Sequence, residues 1–239
     1  MRDNEIRDNL EYVNEIIKKS TIKSRRLESE VTLIAVSKTK PIEDLLIAYN
    51  LGVRDFGENK VQEILQKFDQ MPPDTRFHMI GHLQRNKVKY IVDKVCLIHS
   101  VDNLELAKTI SKEAKKKNLT MDICIEVNVA KEDSKFGIFT EDLMDLVKEI
   151  SLLENIRIVG LMTVAPYVDN PEENRQYFVD MKRLSIDINN QNIDNVIVGD
   201  LSMGMTNDYA IAIEEGATYV RVGTGIFGAR NYSKNEETS

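Results

Sequence analysis

Eight short apolar, β-rich segments punctuate this chain, and seven segments of helical periodicity lie between them. The β-rich ones are Val31–Ser37, Asp55–Gly57, Phe77–Ile80, Leu97–Val101, Ile123–Val129, Ile156–Val164, Val196–Leu201 and Tyr219–Val222. The amphipathic ones are Ile42–Asn50, Val61–Phe68, Asn86–Asp93, Leu104–Lys117, Glu141–Leu153, Glu172–Ile188 and Asp208–Glu215. A further stretch, Asn4 to about Leu27, carries Leu10, Val13, Ile16 and Ile17 at helical spacing. The longer strands are nearly all apolar, which suits a parallel sheet buried on both faces. Eight strands alternating with seven helices, with one helix in front, are what a (β/α)8 barrel requires. An open doubly wound sheet is the rival, because alternation alone does not show closure. Punctuation agrees with these bounds: Pro41 starts a helix, Thr140 is placed to cap one at Glu141, and Gly52 and Gly216 end two others.

No Pro- or Gly-rich linker divides the 239 residues, so one domain over 1–239 is expected. It contains an N-terminal helix within 1–30 and a polar tail at 231–239. Lys and Arg number 32 against 39 Asp and Glu, a net charge of −7. That acidity argues against a nucleic-acid partner, which needs a basic face. The one basic cluster, Lys115–Lys117, falls where a helix ends and reads as a solvated terminus. Cys96 and Cys124 sit among apolar neighbours and read as two reduced core thiols. The polar N-terminus and the lack of a membrane-length apolar run predict a cytoplasmic protein with no membrane partner.

In a barrel of this kind chemistry gathers at the C-terminal ends of strands, with phosphate often held after strands seven and eight. Strand one ends Ser37-Lys38-Thr39-Lys40-Pro41. A lysine in a partly desolvated mouth becomes nucleophilic towards an aldehyde. Position alone still favours a solvated surface lysine, and strand parity does not separate Lys38 from Lys40. Near the last two strand ends, Ser202 offers a hydroxyl, while Gly204, Gly223 and Gly225 let backbone N–H groups approach an anion. The run Gly223-Thr-Gly-Ile-Phe-Gly228 matches a dinucleotide fingerprint literally, but too little chain follows for the helix, strand and acid that motif needs. His78 and His82 lack a recognisable third metal ligand, and no G-x-S-x-G elbow is present.

Six blocks taken in order carry a resemblance that no single motif does. They are Ala35–Pro41, Phe56–Asn59 with Gln62-Glu63, His78–Lys87, Gly160–Thr163, Leu201–Met205 and Val220–Arg230. Together they resemble the pyridoxal phosphate homeostasis proteins, relatives of the N-terminal barrel of alanine racemase. The resemblance implies that Lys38 holds pyridoxal 5'-phosphate as an internal aldimine. It also implies that Ser202, Gly223 and Thr224 hold the phosphate, that Arg221 faces the pyridine nitrogen, and that Asn59 and His82 lie near the ring. An arginine there keeps the nitrogen unprotonated and the cofactor a poor electron sink. The implied function is vitamin B6 homeostasis: a non-enzyme that buffers the cofactor and delivers it to apo-enzymes. The alternative is a weak cofactor-dependent amino-acid racemase or lyase. Two departures from the racemase disfavour that alternative. The racemase's C-terminal β domain, with its second base, has no counterpart here, and Lys135 stands where that barrel has an arginine. Loss of that domain's dimer contact predicts a monomer.

Overall fold

A computed structural model describes residues 2–132 and 134–229; the polar tail expected at 231–239 lies outside the described residues. The strands are β1 Thr32–Val36, β2 Asp55–Glu58, β3 Arg76–Met79, β4 Leu97–Val101, β5 Met121–Glu126, β6 Ile156–Met162, β7 Val196–Met205 and β8 Tyr219–Val222. Each pairs in parallel with the next, and β8 returns to β1 through Thr32↔Tyr219 to Ala35↔Val222. The sheet is therefore a closed barrel, which decides against the open alternative. Around it run α1 Arg2–Lys23, α2 Ile42–Asn50, α3 Val61–Phe68, α4 Val88–Ile91 and α5 Leu104–Lys116. They are followed by α6 Leu143–Ser151, α7 Arg175–Asn190, α8 Tyr209–Glu214 and α9 Thr224–Phe227. No helix among the described residues is long and apolar enough to cross a membrane.

Local chemistry explains most bounds. Asn103 caps α5 by accepting from the Leu106 N–H at 2.9 Å, and Leu106, Ala107, Ile110 and Ala114 form its buried stripe. Gly52 and Gly216 leave α2 and α8 at φ +103°, a conformation open chiefly to glycine. Three expectations need correction. Thr140 does not cap α6; its hydroxyl bonds the neighbouring Glu141 carboxylate and the helix starts at Leu143. The third crossover, expected as one helix over 86–93, is a 3-10 turn Arg85–Lys87 followed by the single helical turn α4. The Gly223–Gly228 run forms the single turn α9, not the long helix that a dinucleotide fingerprint opens. Cys124 is buried as expected, but Cys96 is exposed, below the first residue of β4.

Two apolar cores result. The large one fills the shell between sheet and helices, with Phe56, Phe77, Phe178 and Phe227 fully buried. A small separate one, Leu97, Cys124 and Met162, sits inside the barrel beside Tyr219. At about 1.5–3 kcal/mol per buried large side chain, the shell supplies most of the hydrophobic stabilisation. The lumen is left to polar groups. Helix α1 closes the seam where the chain's two ends meet. Its Ile6, Leu10, Val13 and Ile17 are buried, Arg2 pairs with Asp44 of α2, and Asn9 donates to the Ile226 carbonyl at 2.9 Å.

Strands β6 and β7 approach closest at Gly160, where an added Cβ would lie 2.4 Å from the Asp200 carbonyl oxygen. Backbone cannot yield as a side chain can. Gly160→Ala is expected to cost about 1–3 kcal/mol in urea unfolding. Gly199→Ala, with nothing within 4 Å of the added carbon, should stay within about 0.5 kcal/mol of the parent.

Candidate functional site

Lys38 lies just beyond Ser37 at the end of β1, half-buried, on a turn held from behind. Ser37 donates its hydroxyl to Glu58 Oε1 at 2.6 Å, and the Lys67 ammonium reaches the Ser37 carbonyl at 2.9 Å and Glu58 at 2.8 Å. Glu63 bonds Lys67 at 3.1 Å and takes the Thr39 N–H at 2.6 Å. Thr39 has φ +64°, a strained conformation for a β-branched residue. These bonds hold it there. Burial outweighs Lys67 and lifts the Glu58 carboxyl to about 7. Lys40 is turned away: its Nζ lies 2.9 Å from the Phe227 carbonyl and 3.2 Å from that of Gly228. It fastens the chain just beyond β8.

Below Lys38 the lumen holds Arg221, opposite Ile34 in the β1–β8 register and 5% exposed. Its Nη1 donates to Ser202 Oγ at 2.6 Å and its Nη2 to the Thr163 carbonyl at 2.7 Å. Burial lowers its pKa to about 10, which leaves it a cation at neutral pH, with Asp208 and Glu126 the nearest compensating charges. Ser202 is fully buried and also meets His99 Nδ1 at 2.8 Å. His99 Nε2 lies 3.0 Å from His78 Nδ1, and His78 Nε2 lies 2.9 Å from Asp55 Oδ1. Asp55 in turn pairs with Arg76, whose side chain is half exposed. Burial alone would raise the Asp55 pKa, but the bonds from His78 and Arg76 hold it below the ordinary carboxylate value. For His99, burial and then the neighbouring His78 and Arg221 push the pKa well below 6.5, so the ring is neutral. A polar chain therefore crosses the barrel from Arg221 to its opposite face.

Ser202, expected in a phosphate cup, is fully buried and bonded to Arg221 and His99. That hydroxyl faces the lumen beneath Arg221. The hydroxyl at the cup is Thr206, 3.4 Å from both the Gly223 nitrogen and Thr224 Oγ1. Gly223 lies so close to β1 that an added Cβ would sit 3.3 Å from Val36 Cβ, which brings the cup beside the Lys38 turn. Two further expected residues share the rim. Asn59 and His82 line one cleft of about 530 Å³ with Gln62 and Lys87, and their loops touch where Gly81 packs against the Asn59 backbone. His82 is exposed and stacks on Phe136 with ring centroids 4.0 Å apart. Lys135, beside it, lies 2.7 Å from Glu132. His78 and His82, paired by spacing alone, part company: one is in the lumen, the other on the rim.

Four contributors were not singled out from sequence: Thr206, His99, Lys67 and Glu126. Glu126 ends β5 and is 8% exposed; burial, then Asp102, lifts its pKa to about 7, against the pull of Arg221. Its signal was there, a carboxylate in the apolar strand Ile123–Val129. A folded-state pKa above the unfolded 4.5 means the protonated form is favoured in the native protein. That contribution is complete below pH 4.5 and lost as pH rises through about 7. At about 1.4 kcal/mol per unit, the loss is on the order of 3 kcal/mol. Glu126→Gln, a neutral isostere, should leave unfolding free energy unchanged near pH 4.5 and raise it by roughly that amount at pH 8. An equal gain at both values would remove the titration account.

Comparison with known proteins places this geometry. Residues 10–231 match the family model of the alanine racemase N-terminal domain. A pyridoxal phosphate homeostasis protein of Aquifex aeolicus is 44% identical over 94% of this chain and 98% of its own length. A crystal structure of an unknown protein from Bifidobacterium adolescentis superposes with TM-score 0.88 at 32% identity, over 95% of this chain and 96% of its own. PipY of Synechococcus elongatus, solved with PLP bound, gives TM-score 0.78 at 33% identity over 89% of this chain and all of its own. This chain belongs to the pyridoxal phosphate homeostasis proteins, within the alanine racemase N-terminal domain family.

Proposed function

We propose that this protein binds pyridoxal 5'-phosphate covalently through Lys38 and serves vitamin B6 homeostasis, limiting the free aldehyde and releasing it to apo-enzymes. The observation that carries the reading is a convergence at one barrel mouth. A half-buried lysine at the end of β1, a buried guanidinium below it and a glycine-and-hydroxyl cup beside it match an aldehyde, a ring nitrogen and a phosphate. The residues fit the group. Lys38 would bond the aldehyde carbon through its nitrogen, with one water leaving. Thr206, Gly223 and Thr224 would hold the phosphate by charge-assisted hydrogen bonds. Ser202 would act one step removed, by holding Arg221, and Asn59 and His82 would border the ring from the rim.

When bound, the cofactor supplies an electrophilic carbon and a π-system whose electron demand depends on its ring nitrogen. Arg221 is a donor only, so it accepts an unprotonated nitrogen and opposes a protonated one. That suits storage better than carbanion chemistry, and it disfavours the racemase reading. A buffer of the aldehyde needs a firm grip and a reversible bond. The clamp behind Ser37 and Thr39 supplies the first by fixing the turn that carries Lys38.

Mixing the protein with the cofactor should give a yellow band that borohydride bleaches, and peptide mapping should place the reduced adduct on Lys38. Lys38→Ala should lose the band while its circular dichroism is kept. An adduct on Lys40 or Lys135 would refute the site. A second measurement addresses the cup. Thr206→Val should weaken binding of the phosphorylated vitamer by about 10–100-fold, the worth of one charge-assisted bond, and barely affect pyridoxal. Equal losses for both vitamers would take Thr206 out of the cup.

A further inference from the structure

The polar chain through the lumen has chemically fixed ends. Arg221 can only donate, and Asp55, held ionised by His78 and Arg76, can only accept. Between them lie three groups that can each do either: the Ser202 hydroxyl and the two imidazoles. Ser202 Oγ accepts from Arg221, so its own proton is left for His99 Nδ1. His99 must then be bare at Nδ1 and protonated at Nε2. That proton goes to His78 Nδ1, and the His78 Nε2 proton goes to Asp55. Reversing the imidazoles would set a lone pair of His78 against the Asp55 carboxylate. Adding a second proton to His78 would turn His99 Nδ1 into a donor and leave the buried Ser202 proton without an acceptor, which costs about 1–3 kcal/mol. One proton arrangement satisfies every group.

We infer that His99 is a positioning residue for the ring end of the cofactor, acting through Ser202 to hold the Arg221 guanidinium in the lumen. This rests on the cofactor reading given above, although the proton arrangement does not. Arg221 has two anchors, the Ser202 hydroxyl and the Thr163 carbonyl, and only the first is a side chain. The hydroxyl is a good anchor because His99 takes its proton and leaves a lone pair aimed at the guanidinium. Without that acceptor the hydroxyl is free to rotate, and Arg221 loses a fixed partner while keeping its charge. His99 bonds Ser202 and His78, on the Arg221 side of the site, so its effect falls on the ring end. Through His78 and Asp55 the same chain ends on Arg76, at the opposite face of the barrel.

Two measurements test this, one of which needs no cofactor. The chain has three histidines, and His82→Gln identifies the exposed one in long-range ¹H–¹⁵N spectra of uniformly labelled protein. At neutral pH both buried rings should be protonated at Nε2 and bare at Nδ1. A proton on His99 Nδ1, or on both nitrogens of either ring, overturns the arrangement. In the second, His99→Phe should weaken cofactor binding about tenfold or more and shift the visible band. Pyridoxal should lose the same factor, since the phosphate grip is untouched. His99→Gln, which again offers one acceptor and one donor, should recover most of the affinity and the band. Ser202→Ala, the smaller change, should reproduce the effect if His99→Phe fails to fold. Unchanged affinity and spectrum in either folded variant overturns the positioning role. A parent protein that shows the expected tautomers yet binds no cofactor would refute the cofactor reading, and the positioning role with it, while the relay stands.

Discussion

A guanidinium buried inside a closed barrel is costly unless its protons are matched, and much of the lumen is organised around that demand. Arg221 is 5% exposed in a lumen whose apolar filling is little more than Leu97, Cys124 and Met162. An unpaired charge there would cost several kcal/mol. Its two short bonds to Ser202 and Thr163, with Asp208 and Glu126 near enough to compensate, keep it charged. Each partner then needs partners of its own, and the requirement passes to His99, His78 and Asp55 before it reaches a half-exposed arginine. Stability has to come from elsewhere. It comes from the apolar shell outside the sheet and from α1, which ties α2 to α9 across the seam where β8 meets β1.

The second buried charge cluster serves geometry rather than stability. Glu58, Lys67 and Glu63 stand behind β2, and together they grip Ser37 and Thr39 on either side of Lys38. Buried ion pairs add little net stability once desolvation is counted. What this one does is hold a β-branched residue at φ +64° and so set the direction in which the next side chains leave the turn. The consequence is a division of labour between two neighbouring lysines. Lys40 lies on the carbonyls that end α9, while Lys38 remains at the mouth.

The barrel was legible because its signals are local. Alternating apolar runs and 3.6-residue stripes need no tertiary information, and every strand and most helices overlap the segment that periodicity marks. Short elements were not legible, because α4 and α9 are single turns set by packing rather than by a stripe. The misplacement of Ser202 has one cause. The apolar run suggests that β7 stops at Leu201, which would put Ser202 at the strand end facing the cup. The strand continues to Met205, so Ser202 falls inside the barrel and the strand-end hydroxyl becomes Thr206. A four-residue error in one strand changes a phosphate ligand into an anchor for an arginine. His99 and Glu126 were visible as polar residues within apolar strands, but parity could not say that they face inward until the barrel had closed.

Closure also separates what the two halves of the lumen can do. Toward the N-terminal face, the fixed ends at Arg221 and Asp55 leave the intervening protons one arrangement, and the groups there are neutral or tightly paired. Toward the C-terminal face, Glu126 has a pKa of about 7 and sits on the same side as Lys38, the cup and the rim cleft. A site proposed to hold a reactive aldehyde reversibly would benefit from this asymmetry. On the reading proposed above, the part that would meet the ring is held by paired groups, and its guanidinium, a donor without an acceptor, would favour an unprotonated ring nitrogen. The part open to solvent is where groups titrate and where a cofactor would enter and leave. On that reading, restraint of chemistry and ease of release would follow from opposite ends of the same eight strands.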